Sequence, residues 1–248
     1  MPLTHCCGGR VDESWLLFFF VGLLAQLIDG ALGMAFGVTA TTVMLSFGIA
    51  PAQASAMVHI AEIFTTAASG ASHWWHRNVD WSIVRRIAIP GTIGGILGAT
   101  LLSNVDGKAI APFVTVYLAL MGVLILARAI RKFTAVVPTQ RGMLVVGFSG
   151  GVLDAVGGGG WGPIVTSTLV GAGHVPRYVV GSVNLTEFFV TFATSATFIV
   201  TLGLADLAPV IPLVFGGVVS APFAGYLVKI VPNRLLMLVA RFNQFERI

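Results

Sequence analysis

Leu153-Asp154-Ala155-Val156-Gly157-Gly158-Gly159-Gly160-Trp161-Gly162-Pro163 is the stretch on which the fold turns. Four consecutive glycines follow an acid, and apolar runs at 142–153 and 161–173 lie on either side. A thinner version, Asp29-Gly30-Ala31-Leu32-Gly33, joins the apolar runs 15–28 and 34–49. Backbone in such a break loses its helical hydrogen bonds, so in lipid it must be shielded by protein or line a wet cavity. Two interruptions in corresponding positions of a membrane chain point to a transport site.

The sequence around the breaks is built for lipid. Of 248 residues, 56% are hydrophobic, 30 are glycine and only 10% are charged, against about 25% charged in a soluble domain. Mean hydropathy is +0.92. The net charge of +4 and pI near 9.5 therefore read as basic residues flanking spans, with no nucleic-acid partner. Runs 52–72, 83–105, 109–127, 177–202 and 207–228 are long enough to cross a hydrocarbon core about 30 Å thick at about 1.5 Å per helical residue. Cys6 and Cys7 are adjacent and fit neither a disulfide framework nor a metal motif. Residues 1–14 form a short N-terminal segment that does not read as a signal peptide, since Asp12 and Glu13 follow Arg10.

An offset of 125 residues superimposes the second half on the first without a gap. It pairs Asp29 with Asp154, Gly33 with Gly158, Gly37 with Gly162, Thr41 with Thr166, Pro51 with Pro176 and Glu62 with Glu187. Apolar composition alone does not align rare membrane acids and a proline in one register. The expected fold is an all-α polytopic membrane protein of two homologous repeats, 15–130 and 141–248. Each has an interrupted or re-entrant helical pair followed by transmembrane helices, and a basic cytoplasmic linker at 131–140 joins them. The last helix, beginning near Asn233, reads as short or truncated. If each broken pair crosses once, basic residues split eight to four between the faces. If each pair returns to the side it entered, Arg77, Arg85, Arg86, Arg128, Arg131, Lys132, Arg141, Arg177, Lys229 and Arg234 share one face, opposed by Arg10 and Lys108. The second arrangement fits the positive-inside rule better and inverts one repeat relative to the other. It puts the N-terminus outside and the linker inside.

Asp29, Glu62, Asp154 and Glu187 fall in or against apolar runs. Carboxylates there face a cavity, pair, or take a proton. His59 and Asn184 precede Glu62 and Glu187 by three residues, on the same helix face. These six residues are the expected substrate and proton pathway. Backbone amides at Gly33, Gly157, Gly158, Gly159 and Gly160 are candidates to hold an anion, and Trp161 is a candidate to stand near the pocket. The plainer reading makes the aspartates helix caps and the glycines packing aids. Trp15, Trp74, Trp75 and Trp81 read as interface anchors. Gly94, Gly95, Gly98, Gly216, Gly217 and Gly225 read as close-packing faces, and Pro90, Pro212 and Pro222 as kinks. No P-loop, nucleophilic triad, haem motif or zinc spacing stands out, so neither an enzyme nor a metal or other cofactor is expected.

The segment 153–163, followed by Pro176 and Gly181-Ser182-Val183-Asn184, resembles the sulfite exporter TauE/SafE family. Asp29 through Gly37, then Pro51 and Ala54, looks like the same motif in degenerate form. Arg77-Asn78-Val79-Asp80 is similar to the short turn before the family's next helix. The resemblance implies a multi-pass permease of the bacterial inner (plasma) membrane. It implies export of small anions such as sulfite or sulfonates, with protons as coupling ion. A homo-oligomer is compatible with the sequence. The alternatives are an anion channel and a non-transporting membrane scaffold or assembly protein.

Overall fold

The computed structural model describes residues 8–130, 140–204 and 206–230, with side chains placed for 14–127, 141–204, 206–223 and 225–228. Expectations resting on Cys6, Cys7, Arg10, Asp12, Glu13, Arg128, Arg131, Lys132, Lys229, Arg234, the linker and the final span lie, wholly or by their side chains, outside the described residues.

The described chain is helical: α1 Gly8–Leu32, α2 Phe36–Ser46, α3 Pro51–Trp75, α4 Trp81–Ser103, α5 Gly107–Ile130 and α6 Gln140–Gly157. A π-turn at Gly162–Thr166 then runs into α7 Ser167–Gly171, followed by α8 Pro176–Leu202 and α9 Val210–Ile230. Among the described residues, five stretches are long and apolar enough to cross a membrane: Ser14–Leu32, Trp81–Ser103, Gly107–Ala127, Pro176–Leu202 and Val210–Val228. Pro51 and Pro176 open α3 and α8 at the first helical turn, where the missing N–H would have no intrahelical partner anyway. Pro212 likewise sits in the first turn of α9, a position that does not call for a kink.

Two boundaries differ from the sequence reading. The first break begins at Gly33, so Asp29 rides on the last turn of a full-length helix instead of opening the gap. Asp154 likewise lies inside α6. And α3, long enough to span, is too polar to qualify by hydropathy. Its Ser55, His59, Glu62, Thr65, Thr66, Ser69 and His73 are all buried, because neighbouring helices shield it from lipid. The molecule is polar at its centre and apolar outside: Ile89, Phe113, Val123, Leu126 and Val200 are exposed, as a lipid-facing surface requires.

The helices pack in exchanged pairs: α1 on α9, α4 on α6, and α3 on α8 at the centre. Close approach depends on glycine. A Cβ at Gly216 would strike the Phe19 carbonyl, one at Gly94 the Phe148 carbonyl, and one at Gly151 the Gly91 carbonyl. The helices α3 and α8 run antiparallel, since Ser69 bonds Asn184 while His59 meets the Phe198 ring at 5.9 Å. Each broken pair folds back on itself. Phe47, just past α2, meets Phe18 of α1 at 5.4 Å, and Met143 of α6 shares a buried cluster with Leu169 of α7. Arg177 at the start of α8 donates to the Asn78 side chain at 2.6 Å and to the His76 carbonyl at 2.9 Å. The return of the second hairpin therefore lies beside the α3–α4 turn.

Candidate functional site

The two breaks cross at the centre of the bundle. Gly33 and Gly158 both adopt left-handed backbone, with φ of +70° and +69°, a conformation that glycine accepts without penalty. Thr166 Oγ1 donates to the Gly33 carbonyl at 2.9 Å, and Thr41 Oγ1 donates to the Gly158 carbonyl. Residues equivalent under the 125-residue offset thus make reciprocal bonds across the crossing. These hydroxyls satisfy carbonyls that leave the helical ladder, as backbone in a membrane interior must be satisfied. The chains touch so closely that a Cβ at Gly37 would lie 2.7 Å from Gly159 Cα and 2.8 Å from a Glu62 oxygen.

Around the crossing stand Asp29, Glu62, Asp154 and Glu187, none more than 6% exposed. All four lie within reach of one another's charge. Among the described residues no lysine or arginine is buried to compensate them. Each aspartate caps the second arm of its own hairpin. Asp29 Oδ1 accepts the Phe36 amide at 3.4 Å, and Asp154 Oδ1 accepts the Trp161 amide at 2.9 Å. The capping reading and the pathway reading thus meet in the same side chains.

His59 joins the halves. Its Nδ1 lies 2.8 Å from the Ser55 carbonyl, and a carbonyl only accepts, so Nδ1 carries the hydrogen. Its Nε2 lies 3.2 Å from Asp154 Oδ2. With Nδ1 already a donor, this second contact needs one more proton, on either the imidazole or the carboxylic acid. Asn184, the repeat partner of His59, also bonds the carbonyl four residues back, donating to Val180 at 3.1 Å. Its Oδ1 accepts from Ser69 Oγ at 2.8 Å, so it turns to a hydroxyl instead of an acid.

The glycine amides are placed differently from the expected cradle. The Gly33 amide bonds the Asp29 carbonyl at 2.5 Å and the Gly159 amide bonds the Asp154 carbonyl at 3.0 Å. Gly157 and Gly160 pack under the Tyr117 ring and hydroxyl. The run serves close contact, and the helix N-termini are held by the protein's own carboxylates. The Trp161 amide touches the site through Asp154, while its ring is wholly buried in the core and its Nε1 donates to the Val183 carbonyl. Sequence reasoning passed over Tyr117, whose hydroxyl is buried without a partner, and the two threonines. Thr41 and Thr166 had a signal, since they align in the repeat. Tyr117 had only its rarity, as one of three tyrosines.

The family model described as "Sulfite exporter TauE/SafE" matches residues 18–241. The chain belongs to that family. It is also 44% identical over 240 residues to the probable membrane transporter protein YtnM of Bacillus subtilis (strain 168), covering 93% of this chain and 80% of that one. No solved structure matches it significantly. Membership of the TauE/SafE family fits a polytopic membrane protein with a buried polar centre, and it points to membrane transport.

Proposed function

We propose that this protein is a proton-coupled secondary transporter that exports small sulfur-containing anions, such as sulfite or sulfonates, across the bacterial plasma membrane. The observation that carries the reading is four buried carboxylates gathered where two broken hairpins cross, with no buried lysine or arginine among the described residues. Asp29 and Asp154 occupy the helix N-termini that an anion would take. A proton on either carboxyl weakens its hold on the Phe36 or Trp161 amide. The freed N–H and the positive end of the helix then face the cargo, and neutral carboxyls no longer repel it. Proton and anion therefore bind together and cross together. A dianion leaving with one proton still carries negative charge outward, so the inside-negative potential drives export.

Alternating access follows from inverted halves. The antiparallel packing of α3 and α8, which are repeat equivalents, supports inversion. The Arg177–Asn78 contact supports hairpins that return to the side they entered, with the basic turns and linker in the cytoplasm. Cysteines at positions 77 and 132 should resist an external impermeant thiol reagent, while one at 104 should react. Labelling at 77 from outside would reverse this topology.

The functional test is flux into proteoliposomes. Sulfite movement should saturate and follow an imposed pH gradient. Glu62→Gln and Glu187→Gln should insert normally and lose the pH dependence. Unsaturating ohmic current would indicate a channel, and full transport by Glu187→Gln and Asp154→Asn would remove the acids from the mechanism.

A further inference from the structure

We propose that His59, Glu62 and Asp154 form a binding site for one divalent transition-metal cation of the zinc or manganese type. The site goes beyond the transport reading and does not depend on what the cargo is. One ligand atom from each of the three lies within 4.8 Å of the others, and all three side chains are buried. Ligands around a first-row ion held at about 2.1 Å stand about 3–4 Å apart, so a contraction of roughly 1–2 Å closes the shell. No sequence spacing revealed the set, because Asp154 comes from the other half of the chain.

Three details fit a metal better than a chance cluster. His59 gives its Nδ1 hydrogen to the Ser55 carbonyl, which fixes the ring and turns Nε2 to Asp154 Oδ2, the posture of a metal-bound imidazole once a metal displaces the proton between them. Asp154 is held through Oδ1 by the Trp161 amide, and its Oδ2 turns to the cluster. Glu62 Oε2 is buried with no partner, a costly state for a carboxylate unless a cation meets it. Two carboxylates and a neutral imidazole carry a charge of −2, which a divalent ion cancels. Mixed imidazole and carboxylate donors suit zinc, manganese, iron or cobalt. Asp29 Oδ2, also buried and unpartnered, is available as an outer carboxylate. The equivalent trio Asn184, Glu187 and Asp29 lacks an imidazole, and both ends of the Asn184 amide are engaged. Among the described residues there is therefore one such site, not two.

The test is metal binding by the full chain in lipid nanodiscs, stripped with chelator, with Cys6→Ser, Cys7→Ser and His174→Gln removing competing donors. Titration with Co2+ should give visible ligand-field bands saturating at about one ion per chain, displaced by Zn2+. Glu62→Gln and His59→Gln should each weaken binding by about 100-fold or more. Absence of bands in the parent protein, or bands unchanged in both variants, overturns the proposal. Should the variants fail to fold, X-ray absorption on the zinc-loaded parent decides. A shell of one imidazole with oxygen donors supports the site, and a sulfur or multi-imidazole shell overturns it. Flux in chelator-treated proteoliposomes tests the transport reading separately, so failure of one leaves the other standing.

Discussion

Asp29 and Asp154 stand at equivalent positions on equivalent helices, and each accepts the amide seven residues on. Their second oxygens part company. Asp154 Oδ2 meets His59 at 3.2 Å, while Asp29 Oδ2 is buried and unpartnered. The cause lies one repeat away, where position 59 is histidine and position 184 is asparagine. The scaffold, meaning left-handed glycines, reciprocal threonines and antiparallel central helices, is kept twice. The imidazole–carboxylate pair is built once. Duplication supplies a symmetric frame, and a single asymmetric pair, His59 with Asp154, breaks it.

The sharpest test of that asymmetry sets Asp154→Asn against Asp29→Asn. Both keep a capping oxygen, but only the first disrupts the imidazole pair. Asp154→Asn should reduce proton-coupled flux by about 100-fold, the scale of about 2.7 kcal/mol, and Asp29→Asn by about tenfold. Equal losses would make the histidine incidental. The symmetric scaffold predicts the opposite pattern. Gly33→Ala and Gly158→Ala force a side chain into left-handed backbone and against Thr166 or Thr41, so each should lower stability by about 2 kcal/mol, read as similar shifts in thermal unfolding. Clearly unequal shifts would mean that the breaks are not equivalent. Thr41→Val and Thr166→Val should each cost about 1 kcal/mol. Their double variant should fall short of additivity, since both bonds close one crossing. Smallest is Tyr117→Phe. Removing an unpartnered buried hydroxyl should change stability by less than about 0.5 kcal/mol, while a change in KM for the anion would show that the hydroxyl reaches the cargo.

The membrane class, the breaks, the register of the repeat and the four acids were all legible in the sequence, because each rests on a residue type that lipid penalises or on a spacing that repeats. What composition could not show was contact between distant parts. That Thr41 reaches Gly158, or that His59 selects Asp154, depends on how the hairpins cross. Hydropathy also misplaced one boundary. The run 15–28 looked too short to span, whereas α1 carries Asp29 on its last turn and continues to Leu32. A lone acid in that turn lowers local hydropathy without ending the helix, since its carboxylate caps the next arm. The glycines were read as an anion cradle because freed amides were expected. Gly33 and Gly159 instead keep theirs bonded to the aspartate carbonyls.

The exchange of hydroxyls between Thr41 and Thr166 has a consequence for biosynthesis. The Gly33 carbonyl waits for a hydroxyl that the ribosome adds 133 residues later, and chains are inserted N-terminal part first. Until then the partner of that carbonyl has not been made. Neither half is a finished unit, since each supplies a hydroxyl that the other's break requires.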